Sequence, residues 1–392
     1  MPKRERHRSL FFRSGFFSPL SRCFLGIFSS QLFPKLLAFN RSLLYSFFMK
    51  MKIPVKKTLS SLVVDIGGTH IRCAVADESA ALSNVQKSTM TDFANRRSSQ
   101  RVWKEITDII AGYELEHKKT LTKEAPAVIS FPGPVAYPSH VLSAPTIVGR
   151  DAQMPDLQQE ITRLTGRRVF IINDISAATW YISRTIASDR FLVVTVSSGI
   201  GSKLFDRRHP LPVFDNVPFA GEIGHVKVDV SDNAPSCDCG GRGHLGAISS
   251  GRGVERFARL QASIEKNRFE RSLCVTRFNA AAETLTNEDH IVPAALLHDE
   301  WTLEVIRQCT GPLARVLLTV TAACGLDRIV VIGGFALSLG QLYLDILQSE
   351  MVGNCDFKIL SDKLPDLLVM GSADEEACLR GAAVYALNIR PR

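Results

Sequence analysis

Four stretches of this 392-residue chain combine residue types that do chemistry with glycines that let a ligand come close. In Leu62-Val63-Val64-Asp65-Ile66-Gly67-Gly68-Thr69 an apolar run delivers an acid and then a turn lacking Cβ atoms. Backbone N–H groups at Gly67 and Gly68, with the Thr69 hydroxyl, can approach a phosphate there. Two glycines alone equally describe an unliganded hairpin. Asp65 favours the ligand, because a carboxylate ending an apolar strand needs a partner such as hydrated Mg2+. No Gly-Lys-Ser/Thr follows, so the turn is not a Walker loop.

The second stretch, Val169-Phe170-Ile171-Ile172-Asn173-Asp174, ends an apolar strand on two polar residues before a helix that opens at Ile175. Asp174 suits either of two roles: helix N-cap, or general base toward an attacking hydroxyl, with Asn173 orienting the substrate. The local sequence does not separate them. In the third stretch, Val196-Ser197-Ser198-Gly199-Ile200-Gly201-Ser202-Lys203, the glycines Gly199 and Gly201 lie between two strands. This is a tight hairpin or a second phosphate-facing turn, and Lys203 is read as a solvated cation. The fourth stretch is the most specific: Gly221-Glu222-Ile223-Gly224-His225, then Cys237-Asp238-Cys239-Gly240-Gly241-Arg242-Gly243-His244. His225, Cys237, Cys239 and His244 have the number and type of ligands that tetrahedral structural Zn2+ takes. A metal there would aim Glu222 and His225 into a cleft.

These groups need elements to hold them. Apolar runs predict strands over 62–65, 71–76, 127–130, 169–172, 191–196 and 328–332, with a further strand after Gly201. Amphipathic spacing predicts helices over 97–116, 156–165, 175–186, 253–265, 299–323 and 337–350. Strands alternating with helices indicate an α/β architecture. Glycine pairs follow two of the strands, Gly67-Gly68 and Gly333-Gly334, and most of the body separates them. That separation predicts two α/β halves across a cleft, with ligand at the carboxyl ends of the strands. The expected division is a basic extension over 1–57, a small lobe over 58–173 and a large lobe over 174–372 containing the metal loop 225–246. A C-terminal helix within 373–392 is expected to pack back on the small lobe. The Gly-, Ser-, Asp- and Cys-rich segment 229–253 reads as an insertion between strand and helix.

Charge excludes one class of function. The formal net charge is +8, but nine of the 47 Lys and Arg and only one of the 39 acids lie in residues 1–50, leaving 38 of each sign and no net charge in the body. The body thus offers no electrostatic footprint for nucleic acid. Residues 1–50 also hold ten of the 22 Phe, broken by Ser, Arg and Pro into runs too short to cross a bilayer. A basic segment nearly free of acids is compatible with a targeting peptide; the reading adopted is that Met49 or Met51 starts the chain proper. Nine cysteines, an odd number and mostly scattered, fit a cytoplasmic body rather than a disulfide framework.

In this order the motifs resemble the ROK family (repressor, open reading frame, kinase), and the likeness runs from about Leu62 to the C-terminus. It rests on the turn at Asp65 to Thr69, Phe131-Pro132-Gly133-Pro134-Val135, the Asn173-Asp174 pair, the Gly221 to His225 motif, the Cys237 to His244 loop and Ile332-Gly333-Gly334. The resemblance implies the sugar kinase/actin-like (ribonuclease H-like) fold, ATP with Mg2+, a small polyhydroxy substrate and a homo-oligomer. It assigns Asp174 as general base, Asn173, Glu222 and His225 to the substrate, Gly67, Gly68 and Thr69 to the phosphates, and Gly333 and Gly334 to the nucleotide. Two departures matter. His244 stands where the family usually has a third Cys, and Gly246 where it usually has a Glu that contacts sugar hydroxyls near the anomeric carbon. Losing that acceptor disfavours glucose or an N-acyl mannosamine. With the Val196 to Lys203 pattern, the chain looks most similar to seven-carbon, valiolone-type cyclitol kinases. Its rivals are a plain glucokinase and a sugar-sensing repressor; residues 1–50 are too short and too Phe-rich for the winged helix-turn-helix such repressors carry.

Overall fold

The computed structural model describes residues 59–91, 98–149 and 153–389. The expectations for residues 1–57, including a start at Met49 or Met51, and for a helix beginning at Arg97 fall outside the described residues. In chain order the principal elements are strands β1 (Ser61–Ile66), β2 (His70–Ala76) and β3 (Leu82–Thr89), helix α1 (Ser99–Glu116), β4 (Ala127–Phe131), a short hairpin of β5 (Val135–Ala136) and β6 (His140–Val141), α2 (Leu157–Thr165), β7 (Val169–Asn173) and α3 (Asp174–Ile182). They continue with β8 (Arg190–Val196), β9 (Ile200–Asp206), α4 (Gly251–Ile264), α5 (Glu300–Cys324), β10 (Arg328–Ile332), α6 (Gly334–Leu339), α7 (Gln341–Gly353), β11 (Leu368–Met370) and α8 (Ala377–Asn388). Among these, α5 is the longest, and no described helix is long and apolar enough to cross a membrane.

Two mixed sheets carry the molecule. The first has the order β3-β2-β1-β4-β7, with β1, β4 and β7 parallel and the β1–β2–β3 ribbon antiparallel. The second has the order β11-β10-β8-β9, with β8 and β9 antiparallel. Alternation decides which face each residue serves. Leu62, Val64 and Ile66 of β1 bury themselves with α1 and α2 on the outer side of the first sheet. Val63 turns the other way and shares a core with Phe191 and Val193 of β8, Trp180 of α3 and Leu379 and Ala382 of α8. Leu192, Val194 and Val331 on the far face of the second sheet pack under α4, α5 and α7. Each sheet is therefore covered on both faces, which is why the strands read as continuous apolar runs.

The helix expected over 337–350 is two helices. Gly340, at φ +59°, ends α6 and starts α7, a conformation that glycine adopts without a Cβ penalty. The expected insertion over 229–253 also proves longer, because no strand of either sheet lies between Asp206 and α4.

Helices α3 and α8 meet almost backbone to backbone. A Cβ at Gly381 would overlap the Ala177 carbonyl group, so Gly381→Ala has to push the helices apart. Overpacking of this kind costs about 1–3 kcal/mol. The Gly381→Ala protein is expected to lose about that much unfolding free energy and so to unfold at a lower urea midpoint, and an unchanged midpoint would contradict the contact.

Candidate functional site

The polar residues collect where strands end. Strand β7 stops at Asn173, whose Oδ1 accepts hydrogen bonds from the N–H groups of Ile175 (3.0 Å) and Ser176 (3.3 Å). Asn173, not Asp174, is therefore the N-cap of α3. Its Nδ2 donates to the Gly133 carbonyl at 2.9 Å, tying the end of β7 to the Phe131-Pro132-Gly133-Pro134-Val135 turn. With the cap supplied by its neighbour, Asp174 is the first helical residue, half-buried, with Oδ1 accepting from the Ile175 N–H at 2.8 Å. Burial raises its pKa to about 6; hydrogen bonding to Ile175 opposes the rise and the charge of Asp65 adds to it.

Asp65, the penultimate residue of β1, is 7% exposed. Its nearest cation is Arg72 of β2, at 3.5 Å, which also reaches Glu375 at 3.3 Å. Burial still raises the Asp65 pKa, with Ser130 and then Arg72 opposing. The carboxylate is short of positive charge even with its guanidinium partner, which is the condition a divalent cation nearby would relieve. Sequence reasoning missed Arg72; a basic residue two positions into the strand after the glycine turn is the signal that was available.

Both glycine turns are hairpins. Gly67 N–H donates to the His70 carbonyl at 2.8 Å, and Ser197 N–H to that of Gly199 at 3.0 Å. No atom lies within 4 Å of where a Cβ would stand on Gly68 or Gly199, so both tips border open space. Thr69 is exposed, its hydroxyl 2.8 Å from His70 Nδ1. Gly201 is pressed against the Ile175 side chain. Gly333, at φ +100°, lies against Thr195 and Val196 of β8, and Gly334 opens α6. The expected solvated Lys203 is instead 5% exposed, with Nζ donating to the Ala220 carbonyl at 2.5 Å. It lies on the inward face of β9, in phase with the buried Phe205, and that phase was readable in the sequence.

The Gly221 to His225 turn is clamped to β9. A Cβ on Gly221, at φ +85°, would overlap the Ser202 carbonyl, and one on Gly224 would overlap that of Ile200. These approaches fix Glu222 and His225, whose Oε2 and Nε2 are 3.9 Å apart. His225, Cys237, Cys239 and His244 converge, each offering one ligand atom, all within 4.8 Å of one another. Cys237 Sγ lies 3.8 Å from His225 Nδ1 and Cys239 Sγ 3.2 Å from His244 Nδ1. Gly241 has no Cβ because the His244 ring occupies that space. Two sulfurs and two imidazole nitrogens at this spacing fit a tetrahedral Zn2+. A Cβ on Gly246 would stand 3.2 Å from the Gly224 carbonyl oxygen, so the residue lies beneath the turn that carries His225.

The sequence pattern of the ROK family matches residues 61–389. The chain is 35% identical over 337 residues to a C(7)-cyclitol 7-kinase of Streptomyces hygroscopicus subsp. jinggangensis, covering 83% of this chain and 93% of that protein. Among solved structures it is similar to a ROK family glucokinase from Streptomyces griseus in complex with glucose and AMPPNP, at TM-score 0.61 and 22% identity, covering 83% of this chain and 98% of the other. A ROK family transcriptional regulator superposes at TM-score 0.66 with 20% identity, covering 84% of this chain and 78% of the regulator.

The turn geometry carries a prediction of its own. Gly224→Ala forces the Gly221 to His225 turn off β9 and is expected to lower the thermal unfolding midpoint, at a cost of about 1–3 kcal/mol; a wild-type midpoint would show that the turn is not seated on the Ile200 carbonyl.

Proposed function

The chain belongs to the ROK family, and on that premise we propose that it is an ATP-dependent kinase that transfers a phosphoryl group to the primary hydroxyl of a sugar-like polyol, a seven-carbon cyclitol of the valiolone type by preference. The observation that carries the substrate class is the 35% identity to a C(7)-cyclitol 7-kinase over 83% of this chain and 93% of that protein. Gly246 supports it: with no carboxylate beneath His225, the site lacks an acceptor suited to hydroxyls near an anomeric carbon. A hexose kinase is the second reading, favoured by the likeness to the glucose-bound glucokinase. The regulator is the weaker analogy. Its match leaves 22% of that protein uncovered, whereas Asp174 here has the burial and raised pKa of a working base.

In this mechanism the acceptor hydroxyl attacks the γ-phosphorus in line, the bond to the leaving ADP oxygen breaks, and the hydroxyl proton passes to Asp174 Oδ. Asn173 fixes the helix start that presents Asp174, while Glu222 and His225 hold substrate hydroxyls. The tips at Gly67, Gly68 and Thr69, and at Gly199, take the phosphates, with Gly333 and Gly334 beside the nucleotide; Gly201, expected there too, is packed inside β9 against Ile175. Mg2+ arriving with ATP would neutralise charge on the phosphates, and Asp65 is the residue placed to face it. His225, Cys237, Cys239 and His244 would hold a structural Zn2+, which fixes the loop behind Glu222.

Four outcomes test these assignments. Asp174→Asn is expected to lower kcat roughly 10²- to 10⁴-fold in an ADP-release assay against glucose, mannose, N-acetylmannosamine, fructose and valiolone; near-normal turnover would remove Asp174 as the base. Because the base must be ionised and its pKa is raised to about 6, wild-type activity is expected to fall as pH drops below about 6. The same shift has a stability sign: an acid whose folded-state pKa lies above its unfolded value loses stabilisation as pH rises through the window between about 4 and about 6. Asp174→Asn should therefore gain in melting temperature relative to wild type at pH 7 but not at pH 4. Cys237→Ser is expected to lose bound zinc, read by elemental analysis, together with melting temperature; a purified wild type without stoichiometric metal would refute the zinc site.

A further inference from the structure

Three polar groups near the first turn of α3, two buried and one half-buried, have hydrogen-bonding capacity to spare. Gly201 presses on Ile175, and the Phe205 ring meets the Trp180 ring edge-on at 6.0 Å between centroids. Lys203, between them on the same face of β9, thus points at the stretch of α3 that begins with Asp174. An ammonium has three donors, and the described hydrogen bonds account for one of them, to Ala220. Burial lowers the Lys203 pKa, while the charges of Glu222, Asp215 and Asp174 oppose that. Asp215 shares a small cleft with Asn173, Tyr137 and Tyr385. Phe205 and Val213 form an isolated antiparallel bridge, and two residues further along each segment Asp215 stands across from Lys203. No described ion pair reaches the Asp215 carboxylate; burial raises its pKa, with Lys203 and then a hydrogen bond from the Ser176 hydroxyl opposing. Ser176 is fully buried, and its Oγ meets Asp215 only outside strict hydrogen-bonding geometry.

A carboxylate and an ammonium that face each other across a bridge, yet do not close into an ion pair, leave their desolvation penalties only partly compensated. A group that accepts from one and donates to the other satisfies both, and a hydroxyl is such a group. We propose that Lys203 and Asp215 are a hydroxyl-recognition pair of the acceptor site, Lys203 donating to and Asp215 accepting from oxygens of the bound polyol, and so determine which ring the enzyme accepts. The proposal rests on the kinase reading above. It places the pair between the base, Asp174, and the Glu222 turn, since Lys203 holds Ala220 two residues before Glu222. A purely structural role for the same residues would alter the fold without distinguishing one substrate hydroxyl from another.

The test is steady-state kinetics of wild type, Lys203→Met and Asp215→Asn, using whichever of glucose, N-acetylmannosamine or valiolone the wild type phosphorylates, together with its monodeoxy analogues. Each variant is expected to raise the KM for the polyol tenfold or more and leave the KM for ATP unmoved. One monodeoxy analogue should lose tenfold or more in kcat/KM with wild type but less than twofold with the variants, because a site built to bond a hydroxyl rejects the analogue lacking it. Unchanged KM for the polyol, or equal losses in wild type and variants for every analogue, overturns the pair. Should Lys203→Met fail to fold, Lys203→Arg, which keeps the charge but moves the donors, is measured for the same analogue pattern with the same criteria. Absence of wild-type turnover would defeat the kinase reading instead. The pair is then judged by calorimetric binding of the three polyols, where affinity lost in Lys203→Met sustains it, and equal affinity, or no binding to wild type, overturns it.

Discussion

Burial gives Asp174 its character, and neighbours that leave the site open must supply that burial. A carboxylate fully in water would be ionised throughout the neutral range but would be a weak base; withdrawn from water, its pKa rises to about 6 and it becomes a more effective proton acceptor. The withdrawal requires that α3 not move. Three contacts hold it: the Asn173 cap at its start, the approach of Gly381 to Ala177 from α8, and the seat of Ile175 against Gly201 of β9. The Cys378 thiol of α8 adds a weak donor to the Asp174 carbonyl at 3.4 Å. The last described helix of the chain thus sets the position of a residue some two hundred positions earlier, and does so through a glycine and a small side chain.

The same neighbourhood is crowded with negative charge. Asp65, Asp174, Asp215 and Glu222 act on one another or on Lys203, and the cations described nearby are Arg72 and Lys203. Arg72 spreads its guanidinium between Asp65 and Glu375, and Lys203 spends one donor on a backbone carbonyl. Excess carboxylate in a dry cleft would repel the phosphates of a bare nucleotide, since Coulombic interactions strengthen as water is removed. A divalent cation carried with a nucleotide would reverse that sign at the place where burial raises the Asp65 pKa.

Much of this was legible in the sequence because the strands are apolar on both faces and the glycines follow them directly. The predicted strands at 62–65, 71–76, 127–130, 169–172, 191–196 and 328–332 each correspond to an observed strand one or two residues longer at most. The misses have physical causes. Strand β3 holds only two large apolar residues, Leu82 and Val85, three apart on an edge with little burial, so it gives no alternating apolar signal. The helix expected over 337–350 is interrupted at Gly340, whose positive φ leaves no mark on the apolar periodicity. Lys203 was misread because charge was weighed ahead of strand phase. Asp215 lies in an irregular segment where no period exists, and its burial is created by residues far off in sequence, Asn173 and Tyr385 among them. Local pattern reports which face a residue takes within an element and is silent on which loops a fold brings together.

The turn that carries Glu222 and His225 joins these two kinds of information. On one side it is fixed by close backbone approach, with Gly221 and Gly224 lying against carbonyls of β9. On the other, His225 is drawn into the cluster with Cys237, Cys239 and His244. Close approach constrains the backbone but leaves side-chain torsions free, whereas ligation of the His225 imidazole would fix the ring and, through it, the turn that carries it. Glu222, three positions from His225 and next to the Gly221 contact, would then be constrained from both directions. A carboxylate held that firmly can discriminate between hydroxyl positions that differ by little more than a bond length, which a flexible surface glutamate cannot do. Lys203, on the strand against which the turn rests, is bonded to the same segment at Ala220. With a metal held by the cluster, the cluster, turn and buried cation would act as one rigid wall, and its stiffness would let the few polar groups on it set specificity.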